Sequence, residues 1–117
     1  MVTWFNWGEY AIWHFSPRML VSIDGRRETV YSESVRTKHL GFFFDVPAYR
    51  KYASELKADY IWLPIQLPIV ASLTQEGWAR IFLGSRSILF ARPGTAPVAG
   101  TASGDAVQSA AACFPGP

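Results

Sequence analysis

The run Met19-Leu20-Val21-Ser22-Ile23, followed at once by Asp24-Gly25-Arg26-Arg27-Glu28, constrains the fold more than any other stretch of this chain. Five residues of little polarity can be buried on both faces of a sheet. Asp24-Gly25 then closes the strand, because glycine reaches positive φ at little cost and aspartate hydrogen-bonds its own backbone. A strand over residues 19–24 is expected. In open α/β sheets the carboxyl ends of the strands form the ligand-binding edge, so Asp24, Arg26, Arg27 and Glu28 fall where a site would lie. Two readings stand side by side. The four charges form a self-satisfied ion-pair cluster that pins the turn, or an arginine fork there holds a phosphate or carboxylate in the bidentate geometry that lysine cannot offer.

The chain has 117 residues, half of them apolar, which is enough for one domain with a modest core. Its formal charge of +2, with the arginines dispersed, is too small for the basic footprint that a nucleic-acid partner requires. Cys113 is the sole cysteine, which excludes a disulfide framework and a thiolate metal cluster. Residues 1–5 lack the basic and apolar pattern of an export signal. Residues 60–75 are interrupted by Pro64 and Pro68 and fall short of the roughly 20 apolar residues needed to span a bilayer, so no transmembrane helix is expected in this chain.

Taken in order, residues 2–5 favour a short strand, and Asn6 with Glu9 three residues on makes a capping-box start for a helix over residues 7–15, ended by Ser16-Pro17. A short helix capped by Ser32 or Ser34 is expected to stop at Gly41, and Phe42-Phe43-Phe44 reads as a short strand or an aromatic anchor. Asp45 and Pro47 suit the start of a helix whose Tyr49, Tyr52, Ala53 and Leu56 share one face. Tyr60-Ile61-Trp62-Leu63 reads as a strand closed by Pro64, and Pro68 opens a helix that Gly77 ends. Residues 78–83 and 86–91 flank Gly84-Ser85, a glycine-first hairpin connection. From residue 93 onward Ala, Gly, Pro, Ser and Thr dominate without apolar periodicity, which predicts a disordered tail over 93–117 behind a single domain over 1–92. The fold class expected is α/β, a small and mostly parallel sheet with crossover helices and a C-terminal antiparallel hairpin.

Outside the turn, the candidate ligand-binding residues are Trp7, Glu9 and Tyr10. Trp7, Tyr10 and Trp13 recur at i, i+3 and i+6, as core residues do, or as a shelf for a sugar ring would. Glu9 closes the capping box or faces a ligand. Asp24 with His14, and Glu33 with His39, each pair a carboxylate with an imidazole, but neither has metal-ligand spacing, so no metal is expected. Glu55-Leu56-Lys57 has the letters of a nuclease motif but falls at the end of a helix. The serine-hydrolase elbow and the phosphate-cradling glycine loop do not occur.

Asn6-Trp7-Gly8-Glu9-Tyr10-Ala11-Ile12-Trp13, with Val21-Ser22-Ile23-Asp24-Gly25-Arg26-Arg27-Glu28-Thr29-Val30-Tyr31, resembles the C-terminal soluble region of bacterial polytopic membrane proteins of the glycosyltransferase type, relatives of the dolichyl-phosphate-mannose and lipid-linked aminoarabinose transferases. Asp59-Tyr60-Ile61-Trp62-Leu63-Pro64 and Gly77-Trp78-Ala79-Arg80-Ile81-Phe82 follow the same pattern, and the likeness covers roughly residues 2–92. Asn6 stands where aspartate is common, and Gly84-Ser85-Arg86 where an aspartate-bearing turn is usual. The resemblance implies an accessory domain, a fragment on the extracytoplasmic (periplasmic) face, whose partner is a membrane-embedded helical domain and whose ligand is a lipid-linked sugar phosphate. It places the catalytic carboxylate in that membrane domain, so this chain alone is expected to carry no catalytic residue and no cofactor. The alternative is a free-standing small α/β module that binds an anionic or sugar ligand.

Overall fold

The computed structural model describes residues 1–95, excepting the side chains of Arg27 and Glu28. The expected tail therefore lies, from residue 96 on, outside the described residues. Strands β1 (Val2–Thr3), β2 (Tyr60–Pro64), β3 (Ala79–Leu83) and β4 (Ser87–Ala91) form one sheet in the order β1-β2-β4-β3. The helices are α1 (Gly8–Phe15), α2 (Arg27–Val30), α3 (Glu33–Phe43), α4 (Tyr52–Glu55) and α5 (Ile69–Gln75). The fold is α/β, but the sheet is mostly antiparallel. Only β1 and β2 run parallel, whereas β4 is antiparallel to both β2 and β3.

The missing parallel strand is residues 19–24. Ser22 N–H donates to the Met1 carbonyl at 2.9 Å and the Met1 nitrogen donates to the Leu20 carbonyl at 2.6 Å, which is a single parallel bridge beside β1. The ladder stops there, because the next donor, Thr3 N–H, meets the Ser22 hydroxyl at 3.4 Å instead of a backbone carbonyl. Ile23 and Asp24 then turn inward and are buried, while Leu20 is left 83% exposed.

Strand alternation sorts the two faces of the sheet. Ile61 and Leu63 of β2, Ile88 and Phe90 of β4, and Val2 of β1 enter one core with Phe42 and Phe43 of α3, Tyr52 and Ala53 of α4, and Ile69 and Leu73 of α5. Trp62 points the other way and meets Trp7, with ring centroids 4.8 Å apart, so α1 covers the opposite face. The hairpin is present, but its register pairs Leu83 with Ile88, which makes Ser85 and Arg86 the central turn residues rather than Gly84 and Ser85. Gly84 N–H donates to Ser87 O at 2.8 Å, and a bulge at Ile81 bends β3.

Three helices end in the same way. At Gly77 (φ +83), Gly77 N–H reaches Thr74 O and Trp78 N–H reaches Leu73 O, the paired bonds of a Schellman cap. Lys57 (φ 49) ends α4 through Ser54 O and Ala53 O. Asp45 (φ 58) ends α3 through Phe42 O and Gly41 O. The helix capped by Ser32 thus runs past Gly41 and takes in Phe42 and Phe43, whose burial repays the extra turn. Gly41 is a contact residue and not a stop, since a Cβ there would overlap the Tyr49 ring. Asp45 closes one helix instead of opening the next. The expected helix over 45–56 is consequently broken into a 3₁₀ turn, Pro47–Tyr49, and the short α4.

Candidate functional site

α1 packs by its smallest residues. Gly8 and Ala11 are its buried positions, and a Cβ on Gly8 would overlap the Ile23 carbonyl oxygen, so the helix start rests directly on the Ile23-Asp24 backbone. A Cβ on Gly25 would lie 2.5 Å from Glu9 Oε1, which sets the Glu9 carboxylate against the same turn. Gly8, Glu9, Asp24, Gly25 and Arg26 are thereby brought together. Asn6 does not cap α1, whose N-cap residue is Trp7 with no side-chain hydrogen bond, and the expected capping box with Glu9 does not form.

Asp24 is 1% exposed and its carboxylate is already occupied. Arg26 donates to Oδ1 from its backbone N–H at 2.9 Å and from Nε at 3.1 Å, and to Oδ2 from a terminal guanidinium nitrogen at 2.6 Å. This is the side-on fork that a guanidinium makes with a carboxylate. Those hydrogen bonds hold the Asp24 carboxyl below the usual carboxylate range against the opposing effect of burial. The same pair raises the Arg26 guanidinium, chiefly through the Asp24 hydrogen bond. Tyr31 lies beside Asp24, and burial, with the Asp24 charge behind it, pushes the phenol up. The Arg26 side chain remains 64% exposed beyond its paired edge. The turn also closes on itself through Thr29, whose hydroxyl donates to the Arg26 carbonyl at 3.0 Å.

The aromatic residues of α1 are not core. Trp7 is half-buried against Trp62, Tyr10 is 53% exposed with its ring 6.0 Å from Trp62 and 4.2 Å from His14, and Trp13 is 75% exposed. Trp7, Tyr10 and Trp62 form an aromatic ledge, and Trp13 is exposed one turn beyond Tyr10. The two carboxylate–imidazole pairings do not form. His14 lies tilted against the Tyr10 ring, Glu33 pairs with Arg36, and His39 is buried edge-on to Phe43 and Tyr52. Neither His39 ring nitrogen has a well-formed hydrogen bond, and burial pushes its pKa down to about 4, against a smaller opposing pull from the Thr3 backbone.

Asp45 is the polar contact that sequence spacing misses. Its Oδ2 accepts the Ser72 hydroxyl at 2.8 Å and its Oδ1 lies 3.1 Å from Arg50 Nε, tying the end of α3 to α5. Nothing in the Asp45-Val46-Pro47 string marks a left-handed residue, since Pro47 restricts only Val46, and Ser72 lies 27 positions away. Among the described residues no three of His, Cys, Asp and Glu are grouped to hold a metal ion, and no helix is long and apolar enough to cross a membrane. Comparison of the chain with protein-family models, with curated proteins and with solved structures finds no match.

Proposed function

We propose that this chain is an accessory, non-catalytic domain of a membrane glycosyltransferase-like protein, and that the outer face of α1 is where it meets the membrane-embedded helical part. The observation that carries this reading is the inverted packing of α1. Its small residues Gly8 and Ala11 face inward, while Tyr10 and Trp13, one turn apart, are turned outward at 53% and 75% exposure. Large aromatic side chains exposed side by side on a helix face mark an interaction site. The motif resemblance supplies the partner and the extracytoplasmic side. The Asp24–Arg26 pair, in this reading, shapes the turn under α1, and the exposed edge of Arg26 faces the anionic part of a lipid-linked sugar phosphate.

A second reading, a free-standing module for a sugar, is favoured by the ledge of Trp7, Tyr10 and Trp62, since sugar rings stack on aromatic faces. A photo-crosslinking amino acid at position 13, in cells that make the protein, separates the two. The accessory reading expects crosslinks to the outward loops of a polytopic membrane protein, in the same polypeptide or another. Crosslinks confined to soluble proteins, or none, contradict it.

A further inference from the structure

A cleft of about 440 Å³ opens between residues 18–22 and 56–60, on the side of the molecule where Met1 and Val2 run between them. Its volume falls within the range of about 300–1,000 Å³ typical of small-molecule sites. The lining is segregated by polarity. Met19, Val21 and Tyr60, each half-buried, give an apolar floor above Val2 and Ala58, which belong to the core beneath it, whereas Arg18 and Lys57 are exposed cations on the rim. Asp59 is the one anionic side chain that lines it. Neither Arg18 nor Lys57 has an ion-pair or hydrogen-bond partner for its side chain among the described residues.

Lys57 carries a second argument. It occupies the left-handed position of a Schellman cap, where glycine is the inexpensive residue and a side chain costs about 1 kcal/mol. The chain shows both ways of filling that position. Gly77 takes it with no side chain, and Asp45 takes it with a side chain that binds Ser72 and Arg50. Lys57 takes it with an unpaired ammonium at the mouth of the cleft.

We infer that this cleft binds an anionic amphiphile, its carboxylate or phosphate head held by Arg18 and Lys57 and its short hydrocarbon part laid on Met19, Val21 and Tyr60. With the Met1 amino group, which also lines the cleft but donates to the Leu20 carbonyl, these two cations suit a single anionic head. The apolar floor explains why a free inorganic anion would not suffice, and the guanidinium–ammonium pair why a neutral alcohol would not. The inference does not rest on the α1 face, since no residue of α1 lines the cleft and the exposed Leu20 belongs to the cleft.

The test is a titration of the uniformly ¹⁵N-labelled chain with octyl phosphate, octanoate, 1-octanol and inorganic phosphate, each below any micelle threshold, read at the amides of Val2, Val21, Ala58 and Tyr60. The inference expects saturable shifts with octyl phosphate, octanoate or both, the stronger of the two identifying the head group. It expects 1-octanol and inorganic phosphate to be weaker by about tenfold or more. Arg18→Gln and Lys57→Gly should each weaken the anionic probe by about fivefold. Lys57→Gly should leave the unfolding midpoint unchanged or raised, since glycine suits that backbone, so a loss of binding in it is not a loss of fold. No saturable shift with either anion, equal affinity for 1-octanol, or wild-type affinity in either variant overturns the inference.

Discussion

Gly8 of α1 and Ile23 of the inward turn are in backbone contact, so close that a Cβ on Gly8 would overlap the Ile23 carbonyl oxygen. The obstacle is main chain and cannot rotate away. Gly8→Ala, which in an exposed helix would be mildly stabilising, should here cost about 3 kcal/mol by forcing α1 off the turn. Equilibrium urea unfolding checks this, and a stabilised Gly8→Ala variant would show that the helix does not rest on residues 23–24.

His39 makes stability depend on pH in a defined direction. Its ordinary pKa of 6.5 falls to about 4 in the folded chain, so below pH 6.5 the unfolded state takes up a proton that the folded state refuses. The contribution of neutral His39 is fully present above pH 6.5 and is lost as pH falls towards 4, by about 3 kcal/mol in all. His39→Phe, which suits the aromatic surroundings of Phe43 and Tyr52, should flatten that part of the stability profile. Denaturant midpoints measured between pH 7 and pH 4 in both proteins provide the comparison.

Gly41 and Tyr49 should be energetically coupled. A Cβ on Gly41 overlaps the ring of half-buried Tyr49, so Gly41→Ala is expected to cost about 1–3 kcal/mol in the wild-type background and clearly less in Tyr49→Ala. A double-mutant cycle measures the coupling directly, and additivity would contradict the contact.

The exposed face of α1 should be nearly silent for folding. Trp13→Ser on α1 and Leu20→Ser beyond its end, at positions 75% and 83% exposed, are expected to change stability by less than about 0.5 kcal/mol while lowering the binding of an apolar fluorescent dye. A large loss of stability, or undiminished dye binding in the double variant, would remove the case for an interaction surface there.

Local chemistry made part of this architecture legible. β2 shows its alternation in Ile61 and Leu63, α5 its start at Pro68 and its end at Gly77, and the hairpin its two apolar runs. What stayed hidden depends on contacts between distant segments. Residues 19–24 have strand composition, yet they meet only Met1 before Gly8 draws Ile23 and Asp24 inward. Gly41 has the look of a helix stop because its real requirement, the Tyr49 ring, comes from another element. Asp45 was indistinguishable from an N-cap until Ser72 was placed beside it. In the candidate site, the association of Asp24 with Arg26 was readable from their adjacency, but the outward turn of Tyr10 and Trp13 was not, because helical spacing alone is equally compatible with burial.

Asp24 is committed to Arg26 and holds the turn under α1, leaving recognition to the surfaces around it. Urea unfolding of Asp24→Asn at pH 7 tests this most directly, because the substitution keeps the shape of the side chain and removes the charge that both oxygens share with the guanidinium. A loss of about 1–3 kcal/mol is expected. An Asp24→Asn protein as stable as the wild type would contradict it, and would return Asp24 to the set of groups free to bind a ligand.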